Sequence, residues 1–118
     1  MVPSTGMKAA FAQEAVRIHR TAHLTDAQIG RAVGAAPSTV RDWLNLRSGP
    51  TGRRAERVAE LSEIVDRLAR LMNPEYIPVW LLKPIEALGN HKPLELIARG
   101  QARRVARVLS GLESPGAA

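Results

Sequence analysis

Apolar residues recur at intervals of three and four along most of the chain, which is the period of an amphipathic α-helix. This spacing predicts a first helix over Met7–Ala22, a long one over Arg53–Met72 and a last one over Gln101–Leu112. Shorter apolar stretches between prolines and glycines predict further short helices around Val79–Leu82 and Leu94–Ile97. No stretch alternates apolar and polar residues over the length of a strand, so the pattern predicts an all-α fold.

The stretch Thr25–Leu46 predicts two short helices joined by a tight turn, the arrangement of a helix-turn-helix. Thr25 and Gln28 have the spacing of a capping box, in which each side chain bonds the other residue's backbone amide. Gly34 can adopt a positive φ and so end the first of these helices. Pro37 suits the first position of the second helix, where its missing amide costs nothing.

The second helix of this motif turns an apolar stripe inward and leaves polar side chains exposed, which can bond base edges and phosphates. Gly30 occupies the position where a helix-turn-helix needs a tiny residue, because the two helices cross there. Ala36 is a weak cap for the second helix, since it has no side-chain oxygen. An ordinary helical hairpin is the alternative interpretation. For a DNA-binding motif, we expect base contacts from Ser38, Thr39, Arg41 and Asn45 and phosphate contacts from Arg47 and Arg53.

The charge and the cysteine content narrow the function classes. The formal net charge is +6, and the excess is largest in residues 1–52, which hold six Lys or Arg against three Asp or Glu. A positive surplus in the helix-turn-helix half suits a polyanionic partner such as DNA. Cysteine is absent, which excludes disulfides, thiolate zinc sites and cysteine nucleophiles and agrees with a reducing cytoplasm.

The sequence predicts no membrane segment, enzyme site or metal site. No apolar run approaches the ~20 residues of a membrane helix, and no signal-peptide pattern is present, so we expect a cytoplasmic protein. Catalysis needs a base, a nucleophile or a metal cluster placed together, and the three histidines are scattered, so we expect no enzyme activity and no cofactor. His19 and His23 could share a helix face, but they lack a third ligand, so we expect no metal.

The elements group into four predicted regions. We expect a disordered start over residues 1–6 and a helix-turn-helix DNA-binding bundle over 7–52. A connecting amphipathic helix over 53–72 and a small C-terminal helical domain with a final helix and tail over 73–118 follow. The apolar stripe of the connecting helix could line a dimer seam, but it is too short for a coiled coil, and core packing is the favoured interpretation.

The segment from residue 79 to residue 100 has a distinctive order: a tryptophan helix, a loop and a short helix with the spacing P-x-x-L-I-x-x-G. This order behind a helix-turn-helix resembles the toxin-binding domain of Xre/MbcA/ParS-type antitoxins, in which an Xre-like helix-turn-helix comes first. The resemblance covers residues 25–112. It assigns the scaffold of the toxin-binding domain to Trp80, Pro93, Leu94, Ile97 and Gly100.

The resemblance implies a type II antitoxin whose partner is a RES-domain toxin that consumes NAD. In that family the antitoxin's C-terminal region covers the toxin's NAD-binding cleft, and the complex often represses its own operon. The implied partners are the cognate toxin and operator DNA, in a homodimer or a higher hetero-oligomer with the toxin. Toxin contacts are then expected from Arg99, Arg103, Arg104, Arg107, Ser114, Pro115 and Gly116.

Alternatives remain at two levels. The chain could be a stand-alone helix-turn-helix transcriptional repressor whose C-terminal half only dimerises. The arginines of the last helix could form a solvated face, or that helix and the small-residue tail could enter the toxin's anion-binding cleft in place of the cofactor's phosphates. Trp80 could anchor an interface, although a core position is favoured for a single tryptophan on an amphipathic helix.

Overall fold

The fold is described by a computed structural model that covers the backbone of residues 3–114 and the side chains of residues 9–114. Within that range, helices alternate with short turns, and the only β-pairing is an isolated antiparallel bridge between Ile85 and His91. Two 3₁₀ turns lie at Pro74–Tyr76 and Glu86–Leu88. The all-α prediction is confirmed. The helices are α1 Pro3–Ala22, α2 Asp26–Val33, α3 Pro37–Leu44, α4 Gly52–Leu71, α5 Ile77–Leu82, α6 Pro93–Ala98 and α7 Ala102–Glu113.

Helix α1 begins at Pro3, four residues before the predicted start at Met7. Residues 3–6, which were expected to be disordered, are therefore helical, while residues 1 and 2 lie outside the described part of the chain. A helix that is already nucleated can add residues of modest propensity at its end, and proline is compatible with the first turn. The remaining helix boundaries agree with the sequence-based ones to within one or two residues.

One hydrophobic core contains side chains from all seven helices. Helix α4 is central to it, because it packs against α1 on one side and α7 on another. Its apolar stripe is buried at Val58, Leu61, Val65 and Leu68 and half-buried at Met72. Core packing, and not a dimer seam, is therefore the role of this stripe.

The N-terminal helices and the C-terminal helices share this core, and α2 packs directly on α6. At the edge of this contact, Arg31 donates from Nη2 to Glu95 Oε2 at 2.8 Å and from Nε to Glu95 Oε1 at 3.1 Å. The hydrogen bonds from Arg31 lower the pKa of the Glu95 carboxyl group. The two predicted regions are thus joined by direct contact as well as by α4.

A polar network fixes α1 on α4. The Ser62 hydroxyl is buried and donates to the carboxylate of Glu14, and Arg17 lies between Glu14 and Asp66 and donates to both. The hydrogen bond from Ser62, together with the nearby Arg17, lowers the pKa of Glu14. The buried hydroxyl of Ser62 thus has a charged hydrogen-bond acceptor, so its burial between the two helices leaves no polar atom unsatisfied.

Acidification is expected to weaken this network. A carboxyl group whose pKa is lower in the folded chain contributes stability that is complete above its unfolded pKa of about 4.3 and is lost as the pH falls through the folded value. Glu14→Gln should lower the free energy of unfolding at pH 7 by about 1 kcal/mol, since the side chain is partly exposed. Urea unfolding at pH values from 7 to 3 measures both effects.

The variant should also show a shallower loss of stability below about pH 4.3 than the wild-type chain. Ser62→Ala removes the largest cause of the lowered pKa of Glu14, so Glu14 should become protonated at a higher pH in this variant than in the wild-type chain. If Glu14→Gln kept the full acid sensitivity of the wild type, other carboxylates would be responsible.

Candidate functional site

The start of α2 has the capping box that the sequence predicts. The amide of Gln28 donates to Thr25 Oγ1 at 3.1 Å, and the amide of Thr25 donates to Gln28 Oε1 at 2.9 Å, which completes the capping box. Leu24 and Ile29 on either side of it are fully buried. The start of α2 is therefore set by residues close together in the sequence.

The turn between α2 and α3 is tight. Gly34 ends α2 with φ at +78°, as predicted, and α3 begins at Pro37 with no side-chain cap from Ala36. Gly30 must be small chiefly because the backbone of the turn lies against it, and less because of the expected crossing of the two helices. A Cβ on Gly30 would lie 2.3 Å from the carbonyl oxygen of Ala35, in the turn, and 3.6 Å from Val40 Cγ2 on α3.

The side chains assigned to DNA contact lie on or next to α3. Val40 and Trp43 are buried against the core, which leaves the opposite side of α3 in solvent. The assigned set is exposed at Ser38, Arg41, Asn45, Arg47 and Arg53 and half-buried at Thr39. The side chains assigned to DNA contact are therefore accessible to solvent, except for the half-buried Thr39.

Two of these arginines are paired with acidic residues of the same motif. Arg41 donates from Nε to Asp26 Oδ2 at 3.1 Å, which links α3 to the first residue of α2. Arg47 lies 3.9 Å from Asp42, measured from Nη1 to Oδ1, and both side chains are mostly in solvent. The first contact has hydrogen-bond geometry, and the second is only a loose ion pair.

Arg54 was missed by the sequence analysis. Its Nε donates to the carbonyl oxygen of Gly34 at 3.0 Å, which ties the start of α4 to the turn between α2 and α3. A signal existed in the sequence, because two consecutive arginines in the first turn of a helix oppose the helix dipole and need a specific reason to be there. Its neighbour Arg53 remains exposed.

The C-terminal scaffold residues form the core of their region. Trp80 is 6% exposed, Leu94 and Ile97 are buried, and Pro93 is buried at the start of α6. Trp80 therefore occupies the favoured core position and is not a surface anchor. Gly100 follows α6 with φ at +80°, which favours glycine.

A second arginine on α4 was also missed. Arg57 donates from Nη1 to the carbonyl oxygen of Ala98 at 2.6 Å, and its Nη2 would lie 3.3 Å from a Cβ added to Gly100. It therefore caps the C-terminal end of α6 with a positive charge, where the helix dipole is negative. This long-range contact links α4 to the end of α6, next to Gly100.

The arginines assigned to toxin contact are exposed but not equivalent. Arg104 donates to Gln101 Oε1 at 2.9 Å and lies 3.4 Å from the carbonyl oxygen of Leu88, so it has structural contacts. Arg103 lines a shallow groove of about 230 Å³ between α7 and α4, beside Glu60 and Glu63. Arg99 and Arg107 project into solvent.

The end of α7 is anchored to α4 by Arg67, a third arginine that the sequence analysis missed. Arg67 donates to the carboxylate of Glu113 and, at 3.0 Å, to Ser110 Oγ. The hydrogen bonds that Arg67 donates to Glu113 lower the pKa of this carboxyl group. Arg67 thus fixes the C-terminal end of α7 on α4. Ser114 is exposed directly after α7, and the assigned Pro115 and Gly116 lie outside the described residues.

The two histidines that were considered as metal ligands differ in their environments. His19 Nδ1 lies 2.8 Å from the carbonyl oxygen of Leu24, and His23 is exposed with φ at +56°. Across the described range, no three His, Cys, Asp or Glu residues come together as metal ligands would. Among the same residues, no helix combines the length and the apolar character that a membrane span requires.

Comparison with known proteins shows which of them this chain resembles. No family model matches the chain. A region of 89 residues is 28% identical to the mycobacterial cidal antitoxin MbcA of Mycobacterium bovis and of Mycobacterium tuberculosis, and it covers 75% of this chain and 79% of MbcA. The chain is homologous to MbcA. This confirms the resemblance to MbcA-type antitoxins.

The fold agrees with that relationship. A chain in the crystal structure of the M. tuberculosis MbcT–MbcA toxin–antitoxin complex superposes with a TM-score of 0.77 at 26% sequence identity. The superposition covers 86% of this chain and 91% of that chain. The similarity therefore extends over most of the helical bundle and is not confined to one motif.

Proposed function

We propose that this chain is the antitoxin of a toxin–antitoxin pair and that it is not an enzyme. The observation that carries the proposal is homology to MbcA over three quarters of the chain, together with a shared fold. The structural neighbour comes from a complex of MbcA with a protein named as its toxin, MbcT. By this relationship, the partner of the present chain is a cognate toxin.

We further propose that the toxin belongs to the RES-domain class that consumes NAD, as the family resemblance implies. The C-terminal region then covers the NAD-binding cleft. A cleft that binds the NAD diphosphate presents hydrogen-bond donors and a positive potential, so the arginines of α7 are unsuited to its floor. The neutral small residues of the tail suit the cleft, and the exposed Arg103 and Arg107 suit an acidic rim.

Operator binding is the second half of the proposed function. It is supported by the capped helix-turn-helix, by the exposed polar face of α3 and by the positive surplus in residues 1–52. Helix α2 packs directly on α6, so the proposed DNA-binding and toxin-binding surfaces would share one core. A complex with the toxin, as a dimer of the antitoxin or a higher assembly, would present two such motifs to an operator.

Mixing the chain with the product of the neighbouring gene tests the proposal. The two should co-purify, and the NAD-consuming activity of that product should be lost on mixing. Removal of residues 115–118 should weaken inhibition by roughly tenfold or more, because the segment assigned to the cleft is lost. The cut is made after Ser114, since Glu113 accepts the hydrogen bonds from Arg67.

Stability and charge provide the controls. The truncated chain should unfold at the same urea concentration as the full chain, because the removed residues offer little apolar area to bury. If the truncated chain inhibited fully, the blocking role would move to the arginine face, and Arg103→Gln with Arg107→Gln would then lose inhibition. If the full chain neither bound nor inhibited the product, the antitoxin proposal would be wrong.

A further inference from the structure

A hydrogen bond between Asp26 and Arg41 links the first residue of α2 to the exposed side of α3. The two side chains differ in accessibility: that of Asp26 is 25% exposed and that of Arg41 is 62% exposed. The carboxylate is thus mostly covered, while the guanidinium projects from the recognition helix. Asp26 is in a position to direct Arg41 and not to contact a large ligand itself.

The geometry of this bond determines which donors remain. Asp26 accepts from Nε of Arg41, and within the described range Arg41 makes no other side-chain hydrogen bond. Its two terminal nitrogens, Nη1 and Nη2, are therefore free to donate together. Guanine presents two acceptors, O6 and N7, at the edge that faces the major groove, and a bidentate arginine is its commonest specific partner.

Charge points to specificity rather than affinity as the role of Asp26. A carboxylate near the phosphate backbone repels DNA and lowers affinity for every sequence alike. The same carboxylate removes rotamers from a long side chain, which lowers the entropy lost when that side chain forms two aligned hydrogen bonds. The first effect is uniform across sequences, whereas the second favours only sites with a guanine in the right place.

We propose that Asp26 is a specificity-determining positioning residue, which holds Arg41 so that its terminal nitrogens read one guanine of the operator. This inference rests on the proposed operator binding. Asp42 provides a matched comparison, because it lies on α3 itself, is 52% exposed and has no hydrogen bond to Arg41. Removal of either carboxylate takes one negative charge from the motif, but only removal of Asp26 releases Arg41.

The experiment selects binding sites from a randomised duplex library with the full chain, alone and co-purified with its toxin. Affinities are then measured for the selected site and for versions with each base pair replaced. Arg41→Ala identifies the position that Arg41 reads as the one where base preference disappears. We expect that position to be guanine, and we expect Asp26→Ala to reduce the preference there about tenfold.

Three comparisons complete the test. Asp26→Ala should leave the affinity for unrelated sequences unchanged or higher. Asp42→Ala should raise the affinity for all sequences without changing the base preference. Asp26→Asn should partly restore the base preference, because its amide oxygen still accepts from Nε of Arg41. Thermal melting monitored by circular dichroism checks that each variant is folded at the assay temperature. A merely structural role for Asp26 would weaken binding to all sequences equally.

The failure of this inference differs from the failure of the proposed function. If the wild-type chain and its toxin complex selected no sequence, operator binding and the role of Asp26 would both be wrong. If a site were selected but Arg41 read a base other than guanine, or if Asp26→Ala kept the full preference, only the role of Asp26 would be overturned.

Discussion

Trp80→Ala is expected to lower the free energy of unfolding by about 3–5 kcal/mol, the range found when a large aromatic side chain is deleted from a core. Trp80 is 6% exposed on α5 and belongs to the core that all seven helices share. Since a domain of this size is stabilised by only about 5–15 kcal/mol, a substantial fraction of the molecules would unfold on mild heating. Equilibrium urea unfolding monitored by circular dichroism measures the loss.

Val79→Ala is the matched control on the same helix. Val79 is 49% exposed, so its truncation should change the free energy of unfolding by no more than about 0.5 kcal/mol. Toxin inhibition by Trp80→Ala should fall only in proportion to the unfolded fraction. A Trp80→Ala chain that stayed fully stable but lost toxin binding would instead show that this side chain is an interface anchor.

The parts of the fold that could be predicted from the sequence are those fixed by neighbouring residues. The capping box of Thr25 and Gln28, the positive φ of Gly34 and the helix start at Pro37 each depend on chemistry within a few positions. The apolar stripe of α4 could likewise be assigned to the core, because its period and its length set it apart from a coiled coil. For such features, the local sequence contains the whole physical cause.

The contacts that could not be predicted join residues far apart in the chain. Arg31 contacts Glu95, Arg57 contacts Ala98 at the end of α6, and Arg67 contacts Glu113, across separations of 41 to 64 residues. From the sequence alone, a charged residue on the polar face of a helix is assigned to solvent, because its partner on another helix is identified only by how the helices pack. The pairing of Arg41 with Asp26 was missed for the same reason, although both residues belong to the recognised motif.

These long-range contacts change how the candidate site should be understood. Division of the chain into a DNA-binding region, a connecting helix and a toxin-binding region suggests separable modules. In the structure, Arg54 ties α4 to the turn before α3, and the Arg31–Glu95 pair ties α2 to α6. A change at the scaffold of one surface is therefore expected to reach the other through packed helices.

Gly30→Ala is expected to show how closely the recognition helix is set by its turn. Alanine is favoured over glycine by about 1 kcal/mol inside a helix, but the added Cβ would lie 2.3 Å from the carbonyl oxygen of Ala35. That oxygen is backbone, so the turn and α3 must move as a unit. With an overpacking cost near the upper end of about 1–3 kcal/mol, the net loss of stability should be about 2 kcal/mol.

Gly111→Ala isolates the steric cause of that loss, because Gly111 lies in the exposed part of α7 with no atom within 4 Å of an added Cβ. It should gain about 0.5–1 kcal/mol from helix propensity alone. Displacement of α3 by Gly30→Ala would also break the contact between Asp26 and Arg41, so operator affinity should fall more than toxin inhibition does. Urea unfolding, operator binding and NAD consumption measured on both variants check this. A gain in stability for Gly30→Ala equal to that of Gly111→Ala would mean that the turn yields freely, and that the spacing of α2 and α3 is not what positions the recognition helix.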